Sequence, residues 1–228
     1  MQSIQTDALH TCEDHCLYAV RAVYVGQPTV IGMSRGKPVV SGIAKRPVTE
    51  SSVFVGRTNI AGDGQADRVN HGGPDKAVYA YPAEHLGAWK TERGYSDGPA
   101  MFGENISIVG VLEDEARIGD VWRWGDALLQ ISQPRWPCYK LALHRDDPKL
   151  LKAFVASDRC GWYLRVLEHG EAPVGGDIEL AERHPAGVTV RDAFRAARKV
   201  ATPELFQRVR ALDVLASTWH THLDHVWD

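Results

Sequence analysis

Cysteine is scarce in this chain of 228 residues: four stand at positions 12, 16, 138 and 160. That is too few for a disulfide-dense scaffold, and the chain is long enough to bury a core without such staples, so free thiols are expected. An excess of one charge is missing too. The 26 basic and 29 acidic side chains leave a formal charge of −3. This balance excludes a general attractor for a nucleic-acid backbone or an anionic membrane, so any basic site has to be local. No apolar run approaches the length of a membrane span, and "MQSIQTDALHTCEDHC" has no cationic start followed by an apolar segment. A cytoplasmic location is expected. GxGxxG, HExxH and CxxC are absent, which leaves a Rossmann dehydrogenase, a zincin or a thioredoxin without support.

Present instead are short β-branched or alternating runs between Gly and Pro punctuation, from "LYAVRAVYVG" (17–26) to "DIELAER" (177–183). Between them come "KPVVSGIAK", "SSVFVGRTNI", "KAVYAYP", "ENISIVG" and "GWYLRVLEHG". The pattern predicts a mainly β fold, a closed or partly closed β-barrel without alternating βαβ units. In "DVWRWGDALLQIS" (120–132) Gly125 and Asp126 supply a two-residue hairpin turn. Two helices are expected as covers for the barrel openings. One lies in "PAEHLGAWKTERG" (82–94), which stops at Gly94; the other lies in "DDPKLLKAFVAS", with Asp147 as cap and Pro148 in the first turn.

Beyond about residue 184 helical spacing takes over. Thr189 stands three residues before Asp192 in a capping-box pattern, Thr202 precedes Pro203, and Trp219, Leu223, Val226 and Trp227 form a third stripe. The expected organisation is a flexible tail over 1–17, a β-barrel domain over 18–184 and a small three-helix bundle over 185–228. Arg191, Arg195, Arg198 and Lys199 give the first of these helices a basic face, read as solvated and not as a nucleic-acid reader.

Four places carry candidate chemistry. In "QPRWPCYK" (133–140) Pro134 and Pro137 stiffen the chain around Cys138, and Arg135 and Lys140 favour its thiolate, the form that attacks or ligates a metal. Burial as an inert thiol is the competing reading. In "RVNHGGPDK" (68–76) Gly72 and Gly73 let backbone N–H groups approach an anion, with Lys76 nearby. "SGIAKRPV" (41–48) brings Lys45 and Arg46 to a strand end, and in "FGENIS" (102–107) Glu104 or Asn105 can read a hydrogen-bonding ligand. The His10, Cys12, His15 and Cys16 set lacks the spacing of a zinc site, and His220, His222 and His225 read as a solvated helix face. Cys160 reads as core.

Taken in order, "VNHGGPDKAVYAYPAEH", "FGENIS", "IGDVWRWGDALLQISQPRWPCYKL" and "GWYLRV" resemble the MOSC-domain family in its YiiM-like branch. The resemblance runs from about residue 20 to the C-terminus and leaves out the His/Cys tail. It implies a MOSC-type β-barrel that binds the molybdenum cofactor, a pterin with a dithiolene and a phosphate, and an enzyme that reduces N-hydroxylated compounds such as 6-N-hydroxylaminopurine. Cys138 is the position matching the protein thiolate ligand of molybdenum, with Arg135 beside it. Lys45, Arg46, Gly72, Gly73 and Lys76 are the choice for the cofactor's phosphate. Asn105 and His71 are assigned to the pterin edge or substrate mouth, and Asn70 is counted among the cofactor-binding residues. Tyr79, Tyr81 and Trp136 are candidates to stack on a planar base. A flavoprotein or iron-sulfur reductase is the expected electron donor, with no nucleic-acid or membrane partner, in a monomer or homodimer. A sulfur carrier using a Cys138 persulfide, without molybdenum, is the alternative use of the same thiol.

Overall fold

The computed structural model describes residues 17–66, 72–96 and 98–227. In chain order its strands are β1 (Leu17–Val25), β2 (Thr29–Ser34), β3 (Lys37–Ser41), β4 (Arg46–Pro47), β5 (Ser52–Val55), β6 (Val78–Pro82), β7 (Ile106–Val109), β8 (Val121–Trp124), β9 (Ala127–Pro134), β10 (Trp162–Glu168), β11 (Gly170–Pro173) and β12 (Gly176–Glu182). Seven of them, in the order β12-β8-β9-β10-β6-β7-β1, close into a barrel through the pairing of β12 with β1, and β4 adds to β1. The expected barrel is therefore present and fully closed. Closure leaves the barrel without free edges, which suits short strands that would otherwise expose unpaired N–H and C=O groups.

Neighbours around the barrel run antiparallel except β6 and β7, which are parallel. A parallel pair needs a crossover. Here the crossover carries α1 (Glu84–Arg93), whose Trp89 is buried and which ends at Gly94 in the left-handed region, as its sequence predicts. Every residue of β6 is buried, the pattern of a strand covered on both faces. The Gly125–Asp126 turn joins β8 to β9 with Trp124 opposite Ala127. Gly125 has φ 59°, and a Cβ there would lie 2.4 Å from the Glu171 carbonyl oxygen, so glycine is required twice over.

Two of the expected strands lie outside the barrel. "KPVVS" pairs as β3 with β2 in a separate hairpin, and "SVFV" pairs as β5 with β11. Alternation identifies a strand but not the sheet it joins. The helix after residue 147 also differs from expectation. α2 (Tyr139–His144) starts immediately after Cys138, and α3 (Leu150–Ser157) has Lys149 at its N-cap in place of Asp147. Asp147 still accepts from Lys149 N (3.1 Å) in the turn that leads into α3, and its carboxylate also accepts over a long range from Arg93 Nε (2.9 Å) and from the Tyr95 hydroxyl (2.6 Å).

The C-terminal helices are α4 (Val190–Ala197), α5 (Pro203–Arg210) and α6 (Ser217–Trp227). Thr189 and Asp192 form the reciprocal capping box, with bonds of 3.0 and 3.1 Å. Thr202 caps α5 by accepting from Leu205 N. These helices share one continuous hydrophobic core with the barrel, including Phe194, Trp219 and Leu223. The Ala216 N–H donates to the carbonyl of Ser132 on β9, and the Thr218 hydroxyl donates to Gln133. The basic face of α4 is partly solvated, with Arg195 and Lys199 exposed, yet Arg195 and Arg198 both pair with Asp158 at the end of α3, and Arg191 pairs with Asp114. No helix among the described residues is long and apolar enough to cross a membrane.

Candidate functional site

β9 ends at Pro134, and the chain continues extended: the Arg135 N–H still donates to Gly161 O (3.3 Å), and Pro137 holds the residue before it out of helical backbone. In an extended segment neighbouring side chains point to opposite sides. Arg135 accordingly turns into the barrel, 6% exposed, while Trp136 turns out against Phe194, Trp219 and His222 of the C-terminal helices. Cys138 keeps extended backbone and is the last residue before α2.

Cys138 lines a cavity holding about 670 Å³ of open space, together with Lys45, Asp63, Lys76, Tyr79, Asn105, Arg135, Lys140 and Tyr163. Its described walls carry four cations, Lys45, Lys76, Arg135 and Lys140, against the single carboxylate of Asp63. In a chain of net charge −3 this positive excess is local, and it suits an anionic ligand.

Arg135 is the most deeply buried of these cations with a polar atom left unpartnered. Its guanidinium lies 5.0 Å from the centre of the Tyr79 ring and 5.5 Å from that of Phe154, and its Nη1 has no hydrogen-bond partner. Burial works against its charge. The negative charge that Tyr79, Tyr163 and Cys138 carry when ionised, with a hydrogen bond to Tyr163, acts the other way, and its pKa lies above the ordinary arginine value. Burial also raises the pKa of both tyrosines, so they remain neutral phenols. A buried, charged donor without an acceptor is costly unless a ligand supplies one.

Lys45 is held differently. It pairs with Asp63, and the two side chains are 7% and 6% exposed. Asp63 Oδ1 also accepts from Gly26 N (2.8 Å), and Oδ2 accepts from Asn105 Nδ2 (2.9 Å). Burial lowers the Lys45 pKa, with Asp63 acting in the opposite direction. The Asn105 amide is itself committed, since Oδ1 accepts from Tyr79 N (3.1 Å) and Nδ2 also donates to Tyr24 O. Glu104 sits behind the wall, fully buried, accepting from Phe102 N (2.9 Å); burial raises its pKa.

The sequence-assigned residues therefore divide. Cys138, Arg135, Lys45, Lys76, Asn105 and Tyr79 meet at one cavity. Arg46 does not: it opens β4, is exposed and lies outside the lining, while Lys45, just before that strand, is buried against Asp63. Gly73 lines an adjacent cavity of about 780 Å³ that shares Asp63, Gly64 and Gln65 with the first, and Gly72 lines neither. Asn70 and His71 lie outside the described residues, as do His10, Cys12, His15 and Cys16. Tyr81 and Trp136 are packing residues: Tyr81 accepts from Trp89 Nε1 in the core, and Trp136 anchors the C-terminal helices. His222 also packs there, and burial lowers its pKa. Cys160 is fully buried, and burial pushes its thiol well above the ordinary range. Asp63 and Tyr163 were not foreseen. The only local hint was an acidic residue between Gly62 and Gly64; its buried partners come from residues 18 and 42 positions away.

A family model described as "MOSC domain" matches residues 67–179. The uncharacterized protein YflK of Bacillus subtilis is 42% identical over 178 residues, covering 78% of this chain and 80% of that protein. Protein YiiM of Escherichia coli is 35% identical over 202 residues, covering 86% and 87% respectively. A Gibberella moniliformis protein named Reductase is 34% identical over 154 residues, covering 65% of this chain and 27% of that longer protein. The crystal structure of YiiM from Geobacillus stearothermophilus superposes with a TM-score of 0.76 at 28% identity, covering 92% of this chain and all of that one.

Proposed function

The chain belongs to the MOSC-domain family, and from that premise we propose that it is an oxidoreductase that binds the molybdenum cofactor and reduces N-hydroxylated compounds of the 6-N-hydroxylaminopurine type. The observation that carries this reading is the placement of Cys138 and the unpartnered Arg135 Nη1 at one cation-rich cavity. Such a donor set fits a group that carries both sulfur-ligated metal and phosphate: a soft thiolate suits molybdenum already held by dithiolene sulfur, and fixed cations suit the phosphate. The name of the Gibberella relative points the same way.

When bound, the cofactor supplies two-electron redox chemistry in which the N–O bond of the substrate breaks, two electrons and two protons enter, and amine and water leave. The chain's own part is to bind, orient and exclude water. Cys138 provides the ligating sulfur, and Arg135, held by Tyr79 and Tyr163, keeps positive charge beside it. Lys76 and Lys140 offer charge to the phosphate. Lys45, already matched by Asp63, acts chiefly to fix the wall. The C-terminal helices cover the outer side of the Arg135–Trp136 segment and hold it in register.

The test is to purify the chain from a host that makes molybdopterin, quantify molybdenum and pterin, and assay reduction of 6-N-hydroxylaminopurine on the same sample. Near-stoichiometric metal with turnover is expected, and Cys138→Ser should lose both. Protein that carries no molybdenum but takes up sulfane sulfur on Cys138 would replace this reading with that of a sulfur carrier.

A further inference from the structure

The β2–β3 hairpin stands apart from the barrel sheet and is joined to the site through α2. Gly32 lies so close to Leu143 that a Cβ would come within 2.9 Å of Leu143 Cδ1, so this face of the hairpin is packed on the helix that begins after Cys138. The other face is bare. Val30 and Val40 are cross-strand partners, as are Met33 and Pro38, with a register shift between Val30 and Gly32. Residues three apart on a regular strand face opposite ways; the bulge restores Val30 and Met33 to the same side. Val30 is 61% exposed, Met33 59%, Val40 42% and Tyr139, at the start of α2, 52%. Four of the seven exposed large hydrophobic residues of the described chain therefore gather beside the site.

A groove of about 690 Å³ runs between β3 and the start of α2, floored by Pro38, Val40 and Tyr139 and edged by Arg35, Lys37 and Lys140. Lys140 also lines the Cys138 cavity, so groove and cavity adjoin. None of these three cations takes part in an ion pair among the described residues. Arg35 occupies the hairpin turn with φ 49°, a conformation that suits glycine or asparagine better. The turn thus carries a cation that its own geometry does not favour.

We propose that this face docks an acidic electron-carrier protein, which delivers the two electrons per turnover to the adjoining cavity. The inference rests on the reductase reading above. An apolar centre with a cationic rim is complementary to a carrier with an acidic rim around its redox group. A second copy of this chain would set the same cations against each other across a two-fold axis.

The test uses oxidised plant-type two-iron ferredoxin and flavodoxin as acidic probes, with binding to the cofactor-free chain measured by titration calorimetry. In parallel, the loaded chain is driven by reduced carrier and by reduced methyl viologen, a small dye that needs no docking face. At least one carrier should bind, with affinity falling about tenfold or more from low to high salt. Arg35→Glu with Lys37→Glu, and separately Met33→Asp, should weaken carrier binding and carrier-driven turnover by about tenfold or more and leave dye-driven turnover unchanged. Lys152→Glu, exposed on α3, should change none of these. If neither carrier binds, or if charge reversal leaves binding intact, the proposal is overturned. So it is if the variants lose only self-association or binding to anionic vesicles. Absence of dye-driven turnover in the loaded wild-type chain would sink the reductase reading instead, while carrier binding by the cofactor-free chain still judges the docking face.

Discussion

Arg135 and the arginines along α4 show two ways in which this chain holds a cation. Arg195 and Arg198 converge on one carboxylate, Asp158, and tie the C-terminal helices to the end of α3. Arg135 lies deeper, over aromatic rings and beside neutral phenols, with one nitrogen unpartnered and a cavity next to it. A run of basic residues, partly solvated as expected, is fastened by acids from elsewhere in the chain; the isolated arginine between two prolines holds the spare donor. Local charge density in a sequence is thus a weaker guide to a binding site than the absence of a matching acid in the fold.

The sharpest way to break this contrast is Arg135→Met. If the spare donor serves an anion, cofactor retention should fall about 100-fold, the loss of one charge-assisted hydrogen bond, read as molybdenum and pterin content after dialysis. The cofactor-free variant should nevertheless melt within about 1 kcal/mol of wild type, since the change also removes a buried, incompletely paired charge. Asp158→Asn should do the reverse. Asparagine tolerates the left-handed backbone at this position (φ 59°). Losing both pairs should cost about 1–2 kcal/mol in chemical denaturation, with cofactor content per folded molecule unchanged.

Smaller effects sharpen the comparison through pH and capping. Burial raises the folded-state pKa of Glu104. Below the ordinary carboxylate range both folded and unfolded chains hold the proton. As pH rises from there, the unfolded chain releases it first, and stability falls until the raised folded value is passed. Glu104→Gln should therefore be more stable than wild type at neutral pH, by on the order of 1 kcal/mol, with the gap closing near about pH 4. Thr189→Ala should cost about 1 kcal/mol or less by removing the capping box, with no change in cofactor content.

The features legible in the sequence were those whose cause is local. The Gly125–Asp126 hairpin, the Gly94 stop, the Thr189–Asp192 box and the Thr202 cap all depend on residues within four positions of one another, and all are present. Cys138 and Arg135 were legible because two prolines dictate an extended, stiff segment. Asp147 does accept from Lys149 N (3.1 Å) in the turn before α3, but Arg93, 54 positions away, claims the same carboxylate, which local spacing could not show. Trp136 looked like a base-stacking residue until the C-terminal helices supplied its partners, and Arg46 looked equivalent to Lys45 until Asp63 drew in Lys45 alone.

By itself the sequence determined the strand-rich pattern, the helix boundaries set by caps and prolines, and the stiff cysteine segment, because backbone preference acts over a few residues. Only the tertiary structure decided which cation is neutralised and which is left over. That depends on carboxylates brought in from distant parts of the chain: Asp63 reaches Lys45, Asp158 reaches Arg195 and Arg198, and among the described residues no acid pairs with Arg135. Electrostatic matching in a buried site is a property of distance in space, which closure of the barrel sets and sequence spacing does not.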